Sequence, residues 1–145
     1  MSGITDPTEE FFKDGCWGWD GSQWRKVGIP LWYNAPVGEY PSNLDAQSGV
    51  NSLTGSTVPA GELWIIESAS AIDNTSALDY VAIRVNTGKL WTPLITKKSV
   101  AAAEEVIVNV EVVLSPGYYL FATFSNCAAG DNSCFRYIGY KVKIT

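Results

Sequence analysis

From residue 58 onward, apolar and polar positions alternate in short runs separated by turn residues, the pattern of strands rather than helices. Leu63 to Ala69 follows the turn Val58-Pro59-Ala60-Gly61. In Tyr80 to Val85, Val81, Ile83 and Val85 share one face while Ala82 and Arg84 take the other. Leu90 to Thr96 is a third run, in which Pro93 predicts an edge strand or a bulge because proline cannot donate to a ladder. Glu105 to Leu114 places Val106, Val108, Val110, Val112 and Leu114 on one face. Tyr118 to Ser125 follows Ser115-Pro116-Gly117. Arg136 to Ile144 predicts a last strand with Ile138, Tyr140, Val142 and Ile144 inward and Lys141 and Lys143 outward. Asp73 to Ser76, Asn86 to Gly88 and Gly130 to Asn132 carry turn residues. Ser99 to Glu105 is the one helical candidate, too short for more than a turn or two.

These runs predict an all-β, antiparallel β-sandwich, jelly-roll-like, over residues 58–145. About six strands fall there, so an eight-stranded jelly roll would draw the others from the first 57 residues. That first part reads as an extended N-terminal arm with a short hairpin: Trp17 to Trp24 can fold back around Asp20-Gly21, a strong turn pair. Residues 34–57 show no clear period and read as a long loop or an extended arm.

Composition narrows the function. The net charge is −5 and basic residues occur only in short clusters (Arg25-Lys26, Lys97-Lys98, Lys141/Lys143), which argues against nucleic acid as a partner. No apolar run approaches the ~20 residues of a membrane span, and the polar, acidic start lacks signal-peptide character, so a non-membrane protein made in the cytoplasm is expected. Charged residues are only 17%, below the usual ~25%, as in proteins that cover surface with a partner.

The chain has no histidine, which removes Ser-His-Asp and Cys-His catalysis. Without histidine or a Cys-x-x-Cys pair no metal site is expected, nor any cofactor. Asp20, Glu62, Glu67, Glu104 and Glu105 could serve a carboxylate pair, but their spacing is that of ordinary surface charge. No enzyme is expected. Cys127 and Cys134 flank a turn-rich loop and are either a disulfide or two reduced thiols; Cys16 reads as a packed thiol.

The most unusual stretch is Trp17-Gly18-Trp19-Asp20-Gly21-Ser22-Gln23-Trp24, followed by Arg25 and, further on, by Trp32-Tyr33. It is either a platform for protein or sugar, since aromatic rings give large contact area at low entropic cost, or the closure of one end of the core. Trp64 and Trp91 lie within strand runs and are expected in the core.

Two sets of residues resemble tailed-bacteriophage virion proteins. One is Gly18-Trp19-Asp20-Gly21-Ser22-Gln23-Trp24-Arg25-Lys26-Val27, similar to the opening of phage tail and head-decorating proteins. The other is the frame Val58 to Ile65, Leu114 to Ala122 and Ile138 to Val142, in which Pro-Ala-Gly and Pro-Gly turns open strands, similar to β-sandwich modules of phage particles. Together they span the chain except residues 28–57. The resemblance implies a structural protein of the virion, most simply a capsid decoration (cement) protein. Its partners would be the major capsid protein or other virion proteins and copies of itself, with a trimer favoured. It transfers no catalytic residue. The alternative is a tail- or fibre-associated receptor- or glycan-binding module.

Overall fold

The computed structural model describes the backbone of residues 17–19, 21–26 and 35–143, with side chains for 21–23 and 35–143. The chain divides into two units, Met1–Tyr33 and Asn34–Thr145.

In the first unit, β1 (Trp17–Trp19) pairs antiparallel with β2 (Trp24–Lys26), setting Trp19 opposite Trp24. The expected hairpin is present. Gly21 turns it with a φ of 100°, which glycine adopts without a Cβ penalty.

The second unit is an antiparallel β-sandwich. Its strands are β3 (Ala35–Glu39), β4 (Ser42–Asn43), β5 (Gly49–Thr54), β6 (Glu62–Asp73), β7 (Leu78–Asn86), β8 (Trp91–Val100), β9 (Val106–Val108), β10 (Val112–Leu114), β11 (Tyr119–Cys127) and β12 (Ser133–Lys143). One sheet runs β10-β6-β12-β3, with β9 on β6 beside β10 and β4 on β12 beside β3. The other runs β5-β11-β7-β8. Counting β3/β4 and β9/β10 as two interrupted edge strands gives four strands per sheet. The chain crosses between sheets in jelly-roll order.

Residues 35–54 therefore belong to the sandwich, as edge strands of both sheets. The expected boundary after residue 57 moves to Asn34. These strands escaped the sequence reading because β3 and β5 each bury one side chain, Val37 and Leu53, so no apolar alternation develops.

The core is the apolar layer between the sheets. Ile66, Ala69, Ala71, Val106, Leu114, Phe135 and Tyr137 from one sheet meet Leu53, Val81, Ile83, Leu120, Ala122 and Phe124 from the other. Trp64 joins it as expected, its indole N–H donating to Glu62 Oε2 at 2.9 Å.

Several expectations change. The run 105–114 breaks into β9 and β10, leaving Val110 exposed. Residues 99–105 are no helix: β8 continues to Val100 and one turn follows, with Ser99 at φ 56° and Ala103 at φ 60°. Pro93 marks both an edge and a bulge, since Ile83 pairs with Ile95 but Arg84 pairs with Pro93, leaving Leu94 extra. On β12 the inward residues are Phe135 and Tyr137, so Ile138 points outward and is 57% exposed. Ile144 lies outside the described residues.

Candidate interaction surfaces

A sandwich turns one face of each sheet inward and offers the other. Register identifies what each outer face carries, because directly opposed residues share a face.

On the β10-β6-β12-β3 sheet, one outer row is Val113, Ile65, Tyr140 and Pro36. The next holds Ser68, Ile138 and Gly38, and a third holds Ile107, Ser70 and Arg136. Val113, Ile107 and Ile138 are exposed, while Ile65 is buried. A depression of about 270 Å³ lies here, lined by residues that include Ser68, Ser70, Ile107, Arg136 and Ile138. Its polar side is held in place: Arg136 Nε donates to Ser70 Oγ at 2.9 Å, and Arg136 Nη2 pairs with Glu105 Oε1 at 2.8 Å. An apolar centre with an ordered polar border is the anatomy of a protein interface.

The outer face of the β5-β11-β7-β8 sheet differs. Its rows are Tyr119, Asn86 and Trp91; then Thr54, Phe121, Arg84 and Pro93; then Ser52, Thr123, Ala82 and Thr96. The Arg84 guanidinium lies 4.5 Å from the centroid of the Trp91 ring, a cation–π contact. Tyr119 and Phe121 rings sit 6.1 Å apart at 53°. Arg84 Nη1 donates to Thr123 Oγ1 at 3.4 Å, and the Ser52 and Thr123 hydroxyls share a 3.4 Å contact. Trp91, expected in the core, is 58% exposed because β8 is an edge strand and Asn86 and Trp91 sit in the outward phase.

The sequence-derived candidates fall as follows. Trp17, Trp19, Trp24 and Arg25 lie on the β1–β2 hairpin, whose backbone alone is described. Asp20, Trp32, Tyr33 and Cys16 lie outside the described residues. Cys127 and Cys134 are two free, buried thiols, not a disulfide. The reason is geometric. Cys127 ends β11 in one sheet and joins the core, where its thiol donates to the Phe124 carbonyl at 3.6 Å. Cys134 lies between the inward Ser133 and Phe135 and so faces outward from the other sheet, near Tyr40 and Ile72. Of the carboxylates, Glu62 pairs with Lys141 at 3.6 Å, Glu104 with Lys97 and Glu105 with Arg136, while Glu67 stands exposed. Each paired glutamate faces its own cation, not a second carboxylate.

The residues that sequence reasoning missed are Ile107, Val113 and Ile138. A signal for them was present: Phe135 and Tyr137 set the inward phase of β12, and Ile138 falls in the other.

No family model matches the sequence, and neither does any curated protein. Solved structures with a similar arrangement of strands include the Drosophila NLP core, described in connection with pentamer formation and histone binding. It is 17% identical, with 74% of this chain and 98% of that one covered and a TM-score of 0.41. A variant of a family 29 carbohydrate-binding module is 16% identical over 68% of this chain and 66% of its own, with a TM-score of 0.32. The Yersinia pseudotuberculosis-derived mitogen is 12% identical over 64% and 86%, with a TM-score of 0.33. At these values the similarities carry no functional argument.

Proposed function

We propose that the protein is a non-catalytic structural component of a tailed-phage particle, a capsid decoration protein that stabilises the head by bridging neighbouring subunits. The observation that carries this reading is the apolar outer face of the β10-β6-β12-β3 sheet, with Ile107, Val113 and Ile138 exposed around an ordered Arg136–Glu105 border. An exposed apolar sheet face costs solubility unless a partner covers it. The sequence resemblance supplies the setting. The partner is the major capsid protein, with contacts to further copies in a trimer, and the site of action is the virion. The unit Met1–Tyr33, with its tryptophan-rich hairpin, adds a second contact. Two contacts that reach separate capsid subunits favour the assembled lattice over free subunits, because the second binds at high effective concentration.

The test is an Ile107→Asp/Ile138→Asp double variant on purified particles. Both side chains are exposed, so stability should stay within about 0.5 kcal/mol of the parent while retention on particles falls at least tenfold. Undiminished retention sinks the reading.

A second reading, a receptor- or glycan-binding module of the tail, is favoured by the other sheet. Exposed Trp91 and Ser52, beside half-buried Arg84, Tyr119 and Phe121, combine flat apolar rings with hydrogen-bonding groups. Glycan-array binding that disappears in Trp91→Ala, with particle retention intact in the double variant, would select it over the first.

A further inference from the structure

At one end of the sandwich, two strand ends and a loop bring together acidic and thiol side chains that the chain keeps far apart. Asp73 ends β6, Cys127 ends β11, and Asp131 lies in the loop before β12. All three are buried; each carboxylate is 1% exposed. One oxygen of each carboxylate and the Cys127 sulfur lie within 4.8 Å of one another.

The carboxylates are held by donors outside the group. Asp73 Oδ1 accepts from the backbone N–H groups of Thr75 at 2.8 Å and Ser76 at 2.9 Å. Asp131 Oδ1 accepts from the Ser76 hydroxyl at 2.7 Å, and its Oδ2 from the Ala128 N–H at 2.9 Å. Backbone bonds from Asn74 to Asn132, from Ala46 to Asp131 and from Ala103 to Asp73 tie the surrounding loops.

A second observation points to a ligand. Asp73 Oδ2 is sealed from solvent and has no hydrogen-bond partner. Ser133 stands directly opposite Asp73 in the β6–β12 register, is 0% exposed, and its hydroxyl is also without a partner. Among the described residues, neither carboxylate pairs with a cation. Two buried carboxyl groups without an ion-pair partner among the described residues, beside an orphaned hydroxyl, are costly, and buried charged or polar groups are ordinarily paired or bound to metal.

We propose that Asp73, Asp131 and Cys127 form a binding site for one divalent cation of the zinc class, with the Ser133 hydroxyl or a water as fourth ligand. Two carboxylates offset the charge of a divalent ion. The sulfur selects a borderline-soft metal over calcium, which takes six to eight oxygen ligands. Bond lengths of about 2.0–2.3 Å require the three ligand atoms, now within 4.8 Å of one another, to draw in around the ion on binding. The thiol proton leaves to solvent on binding. The ion would clamp the ends of β6 and β11 to the loop before β12, adding a direct link between the two sheets. The sequence carried no such signal, because the ligands come from three separate segments and none is histidine.

The test uses the full chain with Cys16→Ser, freed of metal by chelation and titrated with Zn²⁺, Co²⁺ and Ca²⁺. Expected are one zinc per chain, a rise of several degrees in Tm at saturation, and a near-ultraviolet sulfur-to-cobalt charge-transfer band. Cys127→Ser should abolish the band, and Asp131→Asn should weaken zinc binding at least tenfold. The far-ultraviolet circular dichroism of Asp131→Asn is compared with the parent, which separates lost binding from an unfolded loop. Cys127→Ser, which keeps the residue's size, gives an independent reading. Absence of saturable zinc, tighter binding of Ca²⁺ than of Zn²⁺, or a cobalt band that survives Cys127→Ser would each overturn the site.

Discussion

Single residues settle which face of a strand does what. Tyr137 fills the core beside Gly55, where a Cβ would run into its ring and hydroxyl. Nearby, Glu39 Oε2 accepts from the Ser56 N–H at 2.8 Å. Burial pushes the Glu39 carboxyl up, but hydrogen bonding to Ser56, with the Tyr137 hydroxyl facing it, outweighs that and holds the group below its ordinary 4.5. Burial, then Glu39 itself, pushes the Tyr137 hydroxyl well above the usual phenol range. A carboxyl whose pKa is depressed by folding stabilises the fold above its unfolded pKa, and that stabilisation is lost as pH falls through the folded value. Urea midpoints measured from about pH 6 to about pH 3 should therefore drop more steeply in the parent than in Glu39→Gln. Parallel curves would show that Glu39 adds nothing. The loss is small, since this side chain is only half-buried and solvent screens it.

At the scale of elements, the longest pair, β6 with β12, is not regular. Ile138 pairs with Ser68 but Gly139 pairs with Ile66, so Glu67 is an extra residue and β6 bulges there. The bulge presses the β6 backbone against β12. A Cβ on Gly139 would collide with the Ile65 carbonyl and approach the Ile66 Cα, both backbone atoms that cannot swing aside. Gly38, one strand over, would place a Cβ at an ordinary 3.8 Å from the Tyr137 carbonyl oxygen. Gly139→Ala should cost about 1–3 kcal/mol by overpacking. Gly38→Ala should stay within about 0.5 kcal/mol. Chemical denaturation of both variants checks this, and equal stabilities would refute the role of the bulge. Period-two reading found six of these runs because Val, Ile and aromatic residues mark half-buried strands. It missed β3 and β5, which bury little, and it could not see the bulge, which exists only between strands.

At the scale of the molecule, the core residues among those described run from Val37 to Tyr137, within the Asn34–Thr145 unit. A chain of residues 34–145 should therefore unfold in one cooperative transition, with a urea slope in the range of about 1–3 kcal/mol/M. A broad, gradual transition would mean that residues 1–33 complete the core. If the unit folds alone, the same protein separates the contribution of the tryptophan-rich hairpin to particle retention from that of the sheet face.

The sequence by itself determined the all-β class, most of the strands from β6 to β12, the hairpin around Gly21 and the unsuitability of the chain for histidine-based catalysis. These depend on local alternation, turn residues and composition, which need no partner strand to be read. The tertiary structure decided the rest: that residues 35–54 close both sheet edges, that Ile138 and Trp91 face outward, that Cys127 and Cys134 stay apart on different sheets, and that Asp73, Cys127 and Asp131 converge. Each follows from which strands become neighbours and in what register. That is fixed by packing the whole core, not by any segment's own pattern.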